Sequence, residues 1–212
     1  PYKTVQIQIA TLSAALKRHN YDASYLEMYI FTGDTFDKFR DQVKEEILMT
    51  QPDLVGFSAY DMNDVFNIDC ARYIKEITPE IKTVVGGHSA SAVPEDYMKH
   101  DFIDFLCKGE ADITLVELMA ALQENAPVEN IDGLYWHDDN GKTVINSPRL
   151  LVENLDEFAY LDREIVESQQ ARIPYLPVIA GRGCPYKCDY CANEAMKDMY
   201  PNGSSYSRWR SP

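Results

Sequence analysis

Apolar positions along the chain recur with periods that name the elements. Val5, Ile9, Leu12 and Leu16 fall at spacings of four, three and four, one face of a helix. DASYLEMYIF, residues 22–31, reads as a strand. A helix over residues 35–50 follows and ends before Pro52. DLVGFSAY is an apolar run of strand length, too short for a buried helix. Phe66, Cys70, Tyr73 and Ile77 form another helical stripe, closed by Pro79. IKTVV is a strand running into Gly86-Gly87, and a short helix begins near Pro94. DFIDFLC is a further strand, running into Gly109-Glu110. Leu115, Leu118, Met119 and Leu122 mark the helix after it.

Strands alternating with helices at this spacing predict βαβ units and a parallel sheet. Nearly unbroken apolar runs such as TVV and LVGF fit a sheet covered on both faces. Residues 1–126 are therefore expected to form an α/β domain with a doubly wound parallel, Rossmann-like sheet. The chain opens on a helix, where such a domain normally opens on a strand. Either a strand precedes Pro1, or residues 2–8 form a short strand themselves. After Pro127 the pattern changes. GLYWHDD and KTVINSP flank Asn140-Gly141, the strongest short hairpin signal. RLLVENLDEFAYLDRE has little periodicity and reads as an extended connector. YLPVIAG is a strand leading into a cysteine cluster. The expected division is a domain over 1–126, a hairpin-bearing connector over 127–178, and a third segment over 179–212.

Composition narrows the class. Apolar residues make up 45 % and charged residues 25 % of the chain, the profile of a globular protein. No run of about 18 apolar residues predicts a membrane span, and the amino end lacks the apolar core of a signal peptide. With 34 acidic against 20 basic residues the net charge is −14. That charge repels phosphate backbones, so nucleic acid is not expected as a partner. Of five cysteines, Cys70 and Cys107 stand alone and three lie close together. An odd count with one tight cluster points to a reducing, cytoplasmic setting and a metal site, not a disulfide framework.

The cluster reads Arg182-Gly-Cys184-Pro-Tyr-Lys-Cys188-Asp-Tyr190-Cys191. Three thiolates on one tight loop suit three irons of a cubane, leaving the fourth iron for a small molecule that binds through an amine and a carboxylate. Two other readings stand beside it. Structural zinc wants four ligands, usually from paired Cys-x-x-Cys units, and no further Cys or His stands near the cluster to complete such a set. A redox Cys-x-x-Cys at Cys188 and Cys191 leaves Cys184 without a role.

The stretch RGCPYKCDYCAN resembles the signature of the radical S-adenosylmethionine (radical SAM) superfamily. The resemblance implies a [4Fe-4S] cluster on Cys184, Cys188 and Cys191 and S-adenosylmethionine on its open iron. It also implies Tyr190 against the adenine, a 5′-deoxyadenosyl radical as hydrogen abstractor, and an electron donor of flavodoxin or ferredoxin type. Taken in order, PDLVGFSAYD, PEIKTVVGGHSASAVPE and DFIDFLCKGEADITLVELMAAL resemble the cobalamin-binding domain fused before many such enzymes. NLDEFAYLDRE resembles the segment joining the two, with Ala159 and Leu161 where prolines are usual. The resemblance covers essentially the whole chain.

In open α/β sheets ligands bind at the carboxyl ends of the strands. Here those ends carry Ser58-Ala59-Tyr60, Gly86-Gly87-His88-Ser89 and Gly109-Glu110, the implied cobalamin contacts. Glycine pairs admit a large flat ligand, and the hydroxyls of Ser58 and Ser89 suit its polar tail. Read without that resemblance, the same residues are ordinary strand-to-helix turns. The Asp-x-His-x-x-Gly loop that ligates cobalt in classical mutases is absent, as is common in the radical branch. His88 follows the wrong strand for that role and reads as a turn residue lining the tail or capping a helix.

A radical SAM barrel needs on the order of 200 residues, on the size logic of barrels, and the sequence ends at Pro212. The expectation is thus a fragment: a cofactor domain, a connector and the first strand and cluster loop of a truncated barrel, inactive by itself. Its parent would be a methyltransferase or oxidative cyclase acting on an unactivated carbon of a small-molecule substrate. The alternatives are a cobalamin-binding or sensor module without radical chemistry, and a radical SAM enzyme whose cobalamin-type domain is empty.

Overall fold

The computed structural model describes residues 7–28, 34–60, 64–170, 176–200 and 206–212. The chain divides into two compact units, one of residues 26–109 and 132–147, the other of 1–25, 110–131 and 148–212.

The first unit is built on a five-stranded sheet in the order β1-β2-β3-β4-β5. Strands β1 (Leu54–Ser58), β2 (Lys82–Gly86) and β3 (Phe105–Cys107) are parallel, with Phe57 opposite Val85 and Val84 opposite Phe105. The apolar runs expected as strands supply them. Strands β4 (Leu134–His137) and β5 (Thr143–Ile145) add as an antiparallel hairpin, so the segment expected as a connector extends the sheet. Asp138 builds its turn: the carboxylate accepts the N–H groups of Asn140 and Lys142, each at 2.9 Å.

The parallel strands are joined through helices. Before β1, a 3-10 turn (Phe36–Phe39) leads into α2 (Arg40–Thr50), which Gln51 ends in left-handed backbone ahead of Pro52. Helix α3 (Asp64–Ile77) carries the expected stripe. Its Phe66, Cys70 and Ile74 pack with Phe36, Phe39, Val43, Ile47 and Ile81. A second cluster gathers Ala59, Ala71, Val85, Tyr97, Met98, Leu106 and Tyr135. Each fully buried aliphatic side chain here contributes about 1.5–3 kcal/mol. Asp104 is the polar hub: its carboxylate takes Lys75 at 2.6 Å, Lys82 at 3.2 Å and the Thr83 N–H at 2.8 Å.

Two helices follow β2. Helix α5 (Pro94–Met98) was expected; α4 (His88–Ala92) was not, because HSASA carries no apolar stripe. The strand expected at 22–31 does not form over residues 22–28. Leu26 and Met28 instead bury against the Phe36–Ile74 cluster, and apolar contact without a ladder leaves the backbone irregular. Residues 29–31 lie outside the described residues.

In the second unit, α1 (Ile7–Arg18) packs on α6 (Asp112–Glu124) and α7 (Arg163–Gln170). The expected helix is there, but its buried residues are Ala10, Thr11, Ser13 and Ala14, while Ile9, Leu12 and Leu16 of the expected face are half-buried. Val5 and residues 2–6 of the alternative strand lie outside the described residues, and Ile7 and Gln8 are helical. Ala10 meets Leu161, Ile165 and Val166 in the apolar centre. The Asp162 carboxylate accepts from Ser13 at 2.6 Å, pairs with Lys17 at 2.9 Å, and caps α7 by accepting the Glu164 N–H at 3.0 Å. That cap starts α7 at the end of the stretch expected to be extended, overlapping it only at Arg163 and Glu164.

YLPVIAG is strand only at its end. Strand β6 is Gly181–Arg182, paired antiparallel with β7 (Arg208–Trp209), while Leu176 and Val178 are exposed and form no ladder. Pro177 between them removes a ladder donor. Helix α8 (Ala192–Asp198) follows the cysteines directly. No helix among the described residues is long and apolar enough to cross a membrane.

Candidate cofactor-binding loops

In the first unit the loops after β1 and β2 are stitched together. The Ala59 N–H donates to Gly86 O at 2.7 Å and the Ser89 N–H to Ala59 O at 3.3 Å. Gly87 has φ +104, and a Cβ there would lie 2.7 Å from Ala59 O. Only glycine lets the loops approach this closely. Asn67 of α3 donates to Ser58 O at 3.1 Å. The Tyr60 ring lies 5.7 Å from the exposed His88 imidazole, tilted 33°. Burial pushes the Tyr60 phenol up, against a hydrogen bond with Ser58 that lowers it. The Gly109 N–H donates to Ser91 Oγ of α4 at 2.9 Å, tying the loop after β3 to the helix after β2. Ser58 through Tyr60, Gly86 through Ser89, and Gly109 thus stand at the carboxyl ends of adjacent parallel strands. Ser58 and Tyr60 place hydroxyls there and Gly86 and Gly87 a smooth backbone, which suits a large, flat, polar-edged ligand, whereas Ser89 and Ala59 are buried.

Glu110 belongs to the second unit, where its carboxylate pairs with Arg182 at 3.0 Å and with Arg208. Its N–H donates to the Tyr200 hydroxyl at 3.1 Å. Arg182 also holds Asp112 and lies 4.3 Å over the Phe158 ring. Burial alone would lower the Arg182 pKa, but the Asp112 and Glu110 carboxylates carry it above its ordinary value. Arg208 is buried, and donates to Val152 O at 2.6 Å as well. The Tyr200 phenol is pushed up to about 12, by burial first and then by the charge of Glu110.

The cysteine loop begins two residues after Arg182 of this ion-pair platform. Cys184, Cys188 and Cys191 are free, half-buried thiols. The Cys191 N–H donates to Cys188 O at 3.0 Å, closing the turn that separates the last two. Cys191 is the residue before α8, and Asn193 in the first turn donates Nδ2–H to Cys191 Sγ at 3.4 Å. The Tyr206 hydroxyl donates to Asn193 Oδ1 at 3.4 Å. Burial raises the Tyr206 phenol, and the charge of Glu110 and of the Cys184 and Cys191 sulfurs adds to it. Among the described residues, no three Cys, His, Asp or Glu side chains converge as around one metal ion. A cubane takes each thiolate on a separate iron, so three thiols on one loop suit that wider ligand. Tyr190 is 92 % exposed, so its ring is not a core residue.

Sequence reasoning did not single out Asp112, Asn193, Tyr200, Tyr206 or Arg208. Acidic GEAD and basic RGC are the matched halves of the platform, a signal that charge complementarity alone could have raised. Nothing local marks Tyr206.

Three parallel strands with glycine-bearing loops at their carboxyl ends, extended by an antiparallel hairpin, make a Rossmann-like domain. The chain belongs to the B12-binding domain family, whose model matches residues 1–119. An uncharacterized methyltransferase of Pyrococcus horikoshii is 27 % identical over 201 residues, covering 92 % of this chain and 42 % of that protein. An anaerobic magnesium-protoporphyrin IX monomethyl ester cyclase of Rubrivivax gelatinosus is 26 % identical over 196 residues, covering 87 % and 34 %. The cobalamin-dependent S-adenosylmethionine radical enzyme OxsB, solved with aqua-cobalamin and S-adenosylmethionine bound, shares the fold. Its TM-score is 0.71 at 21 % identity, covering 88 % of this chain and 25 % of that one. The chain therefore spans less than half the length of each of these proteins.

Proposed function

We propose that this chain is the cobalamin- and cluster-binding part of a cobalamin-dependent radical SAM enzyme that transfers a methyl group to, or oxidatively cyclises, an unactivated carbon of a small molecule. The observation that carries this reading is the loop of three free thiols, Cys184, Cys188 and Cys191, in one polypeptide with a B12-binding domain. When bound, the cluster supplies the electron that cleaves S-adenosylmethionine, and cobalamin carries a methyl group. The chain's own part is to hold and orient. Ser58, Tyr60, Gly86, Gly87, His88 and Gly109 line the cobalamin side, with Ala59 and Ser89, both buried, supporting their loops. Glu110, next in sequence after Gly109, is the remaining proposed cobalamin contact, its carboxylate engaged by two arginines. Tyr190 offers an open ring face to an adenine. Methyl transfer and cyclisation both stand, since the relatives include a methyltransferase and a cyclase.

The test uses the full-length protein without air. Reconstitution with iron and sulfide should give a broad charge-transfer band that Cys184→Ser, Cys188→Ser and Cys191→Ser abolish. Hydroxocobalamin should co-elute on desalting, and a strong reductant should yield 5′-deoxyadenosine from S-adenosylmethionine. Zinc in place of iron, or intact S-adenosylmethionine, overturns the radical reading. A loaded cluster without co-eluting cobalamin leaves a radical SAM enzyme with an empty domain.

A further inference from the structure

We infer that Asn193 sets how readily the cluster is reduced, by donating an amide N–H to the Cys191 thiolate, and that Tyr206 holds that amide in its donating orientation. This rests on the reading that Cys184, Cys188 and Cys191 carry the cluster. Hydrogen bonds to ligand sulfurs are among the levers that set iron–sulfur potentials. A donor withdraws electron density from the thiolate and favours the state with one more electron.

The geometry supplies such a donor and fixes it. Asn193 Nδ2 lies 3.4 Å from Cys191 Sγ, within reach of an N–H···S bond. A primary amide has one accepting and one donating end, and a phenol that donates to the first turns the second away from itself. Tyr206 donates to Oδ1, so the NH2 faces the sulfur. The amide rides on the first turn of α8, anchored by buried Met196. Tyr206 is equally constrained. Its carbonyl lies where a Cβ on Gly183 would be, 1.8 Å away, and its ring lies 6.1 Å from that of Tyr200. Tyr200 in turn bonds the Glu110 N–H. Cys191, Asn193, Tyr206, Tyr200 and Glu110 form a continuous line from ligand sulfur to ion-pair platform. Asn193 is a positioning and tuning residue and touches neither substrate nor S-adenosylmethionine in this account.

The experiment is an EPR-monitored redox titration of the reconstituted full-length protein, with iron content measured on each sample. Asn193→Leu and the near-isosteric Asn193→Asp should retain iron and shift the midpoint potential negative, since neither donates to sulfur at neutral pH. Tyr206→Phe should shift it the same way, but less. Wild-type protein should also show an exchangeable proton coupled to the cluster, by ENDOR in water against deuterium oxide, that Asn193→Leu lacks. A wild-type potential in both Asn193 variants overturns the inference, and a wild-type potential in Tyr206→Phe overturns the role of the phenol. If the Asn193 variants lose iron, Tyr206→Phe decides, because it leaves the amide in place. A wild-type protein that binds no iron sinks the cluster reading itself.

Discussion

Arg182 grips Asp112 with both ends of its guanidinium, Nη1 to Oδ2 at 2.7 Å and Nη2 to Oδ1 at 2.8 Å. The two residues are 70 positions apart, one at the start of α6 and the other two residues before Cys184. The fork geometry is particular to arginine. Arg182→Ala leaves the Asp112 carboxylate buried without its partner and should cost about 3–5 kcal/mol. Arg182→Lys keeps the charge but loses the fork and the stacking on Phe158, and should cost about 1–2 kcal/mol. Urea denaturation of the two variants checks the order.

Gly183 sits between that arginine and the first cysteine with φ +77. A Cβ there would also run into the Tyr206 backbone, so Gly183→Ala must displace either the cysteine loop or the bend at Tyr206 that precedes β7. The backbone conformation alone costs about 1–3 kcal/mol. The expected outcome is lowered iron uptake on reconstitution with the helical content intact, read by iron assay beside far-UV circular dichroism.

Thiol reactivity should divide the five cysteines into two classes. Cys70 is buried in the Phe36–Ile74 cluster, and desolvation pushes its thiol up to about 12. Cys107 is buried in β3. A thiol that is neither ionised nor accessible does not alkylate. Iodoacetamide at pH 8 should label Cys184, Cys188 and Cys191 of the native apoprotein and spare the other two. Cluster loading should protect the three. Mass spectrometry of the peptides reads the result.

Asp162 gives the second unit its acid sensitivity. Burial alone would raise its carboxyl, but hydrogen bonds from Ser13, Lys17 and the Glu164 N–H hold it below the ordinary 3.8. A depressed carboxyl stabilises the fold fully above its unfolded value and loses that contribution as pH falls through the folded one. Thermal stability should therefore drop as pH falls below about 4. Asp162→Asn should flatten that part of the profile, and Ser13→Ala should cost about 1–2 kcal/mol at pH 7. Calorimetry from pH 7 to pH 3 tests the sign.

What the sequence made legible was whatever rests on local spacing. The runs at β1, β2 and β3 and the stripe of α3 announced themselves because burial demands them at every turn or alternate residue. The three cysteines stood out because ligand spacing on one loop is a local quantity. The strand expected at 22–31 shows the limit: its residues suit a strand, yet 22–28 have no ladder, and pairing is a property of the neighbour. Helix α4 was missed because small polar residues leave no stripe. The line from Cys191 through Asn193 to Tyr206, and the grip of Arg182 on Asp112, were invisible because each partner is ordinary until the chain brings the two together.

The hairpin turned by Asp138 has an effect on how the molecule meets its own kind. Its outer strand, β5, is three residues long and follows directly on a turn. A neighbouring polypeptide seeking to lengthen the sheet from that side meets a row of amides too brief to dock on. The sheet ends there, which guards against fibrous self-association along that border.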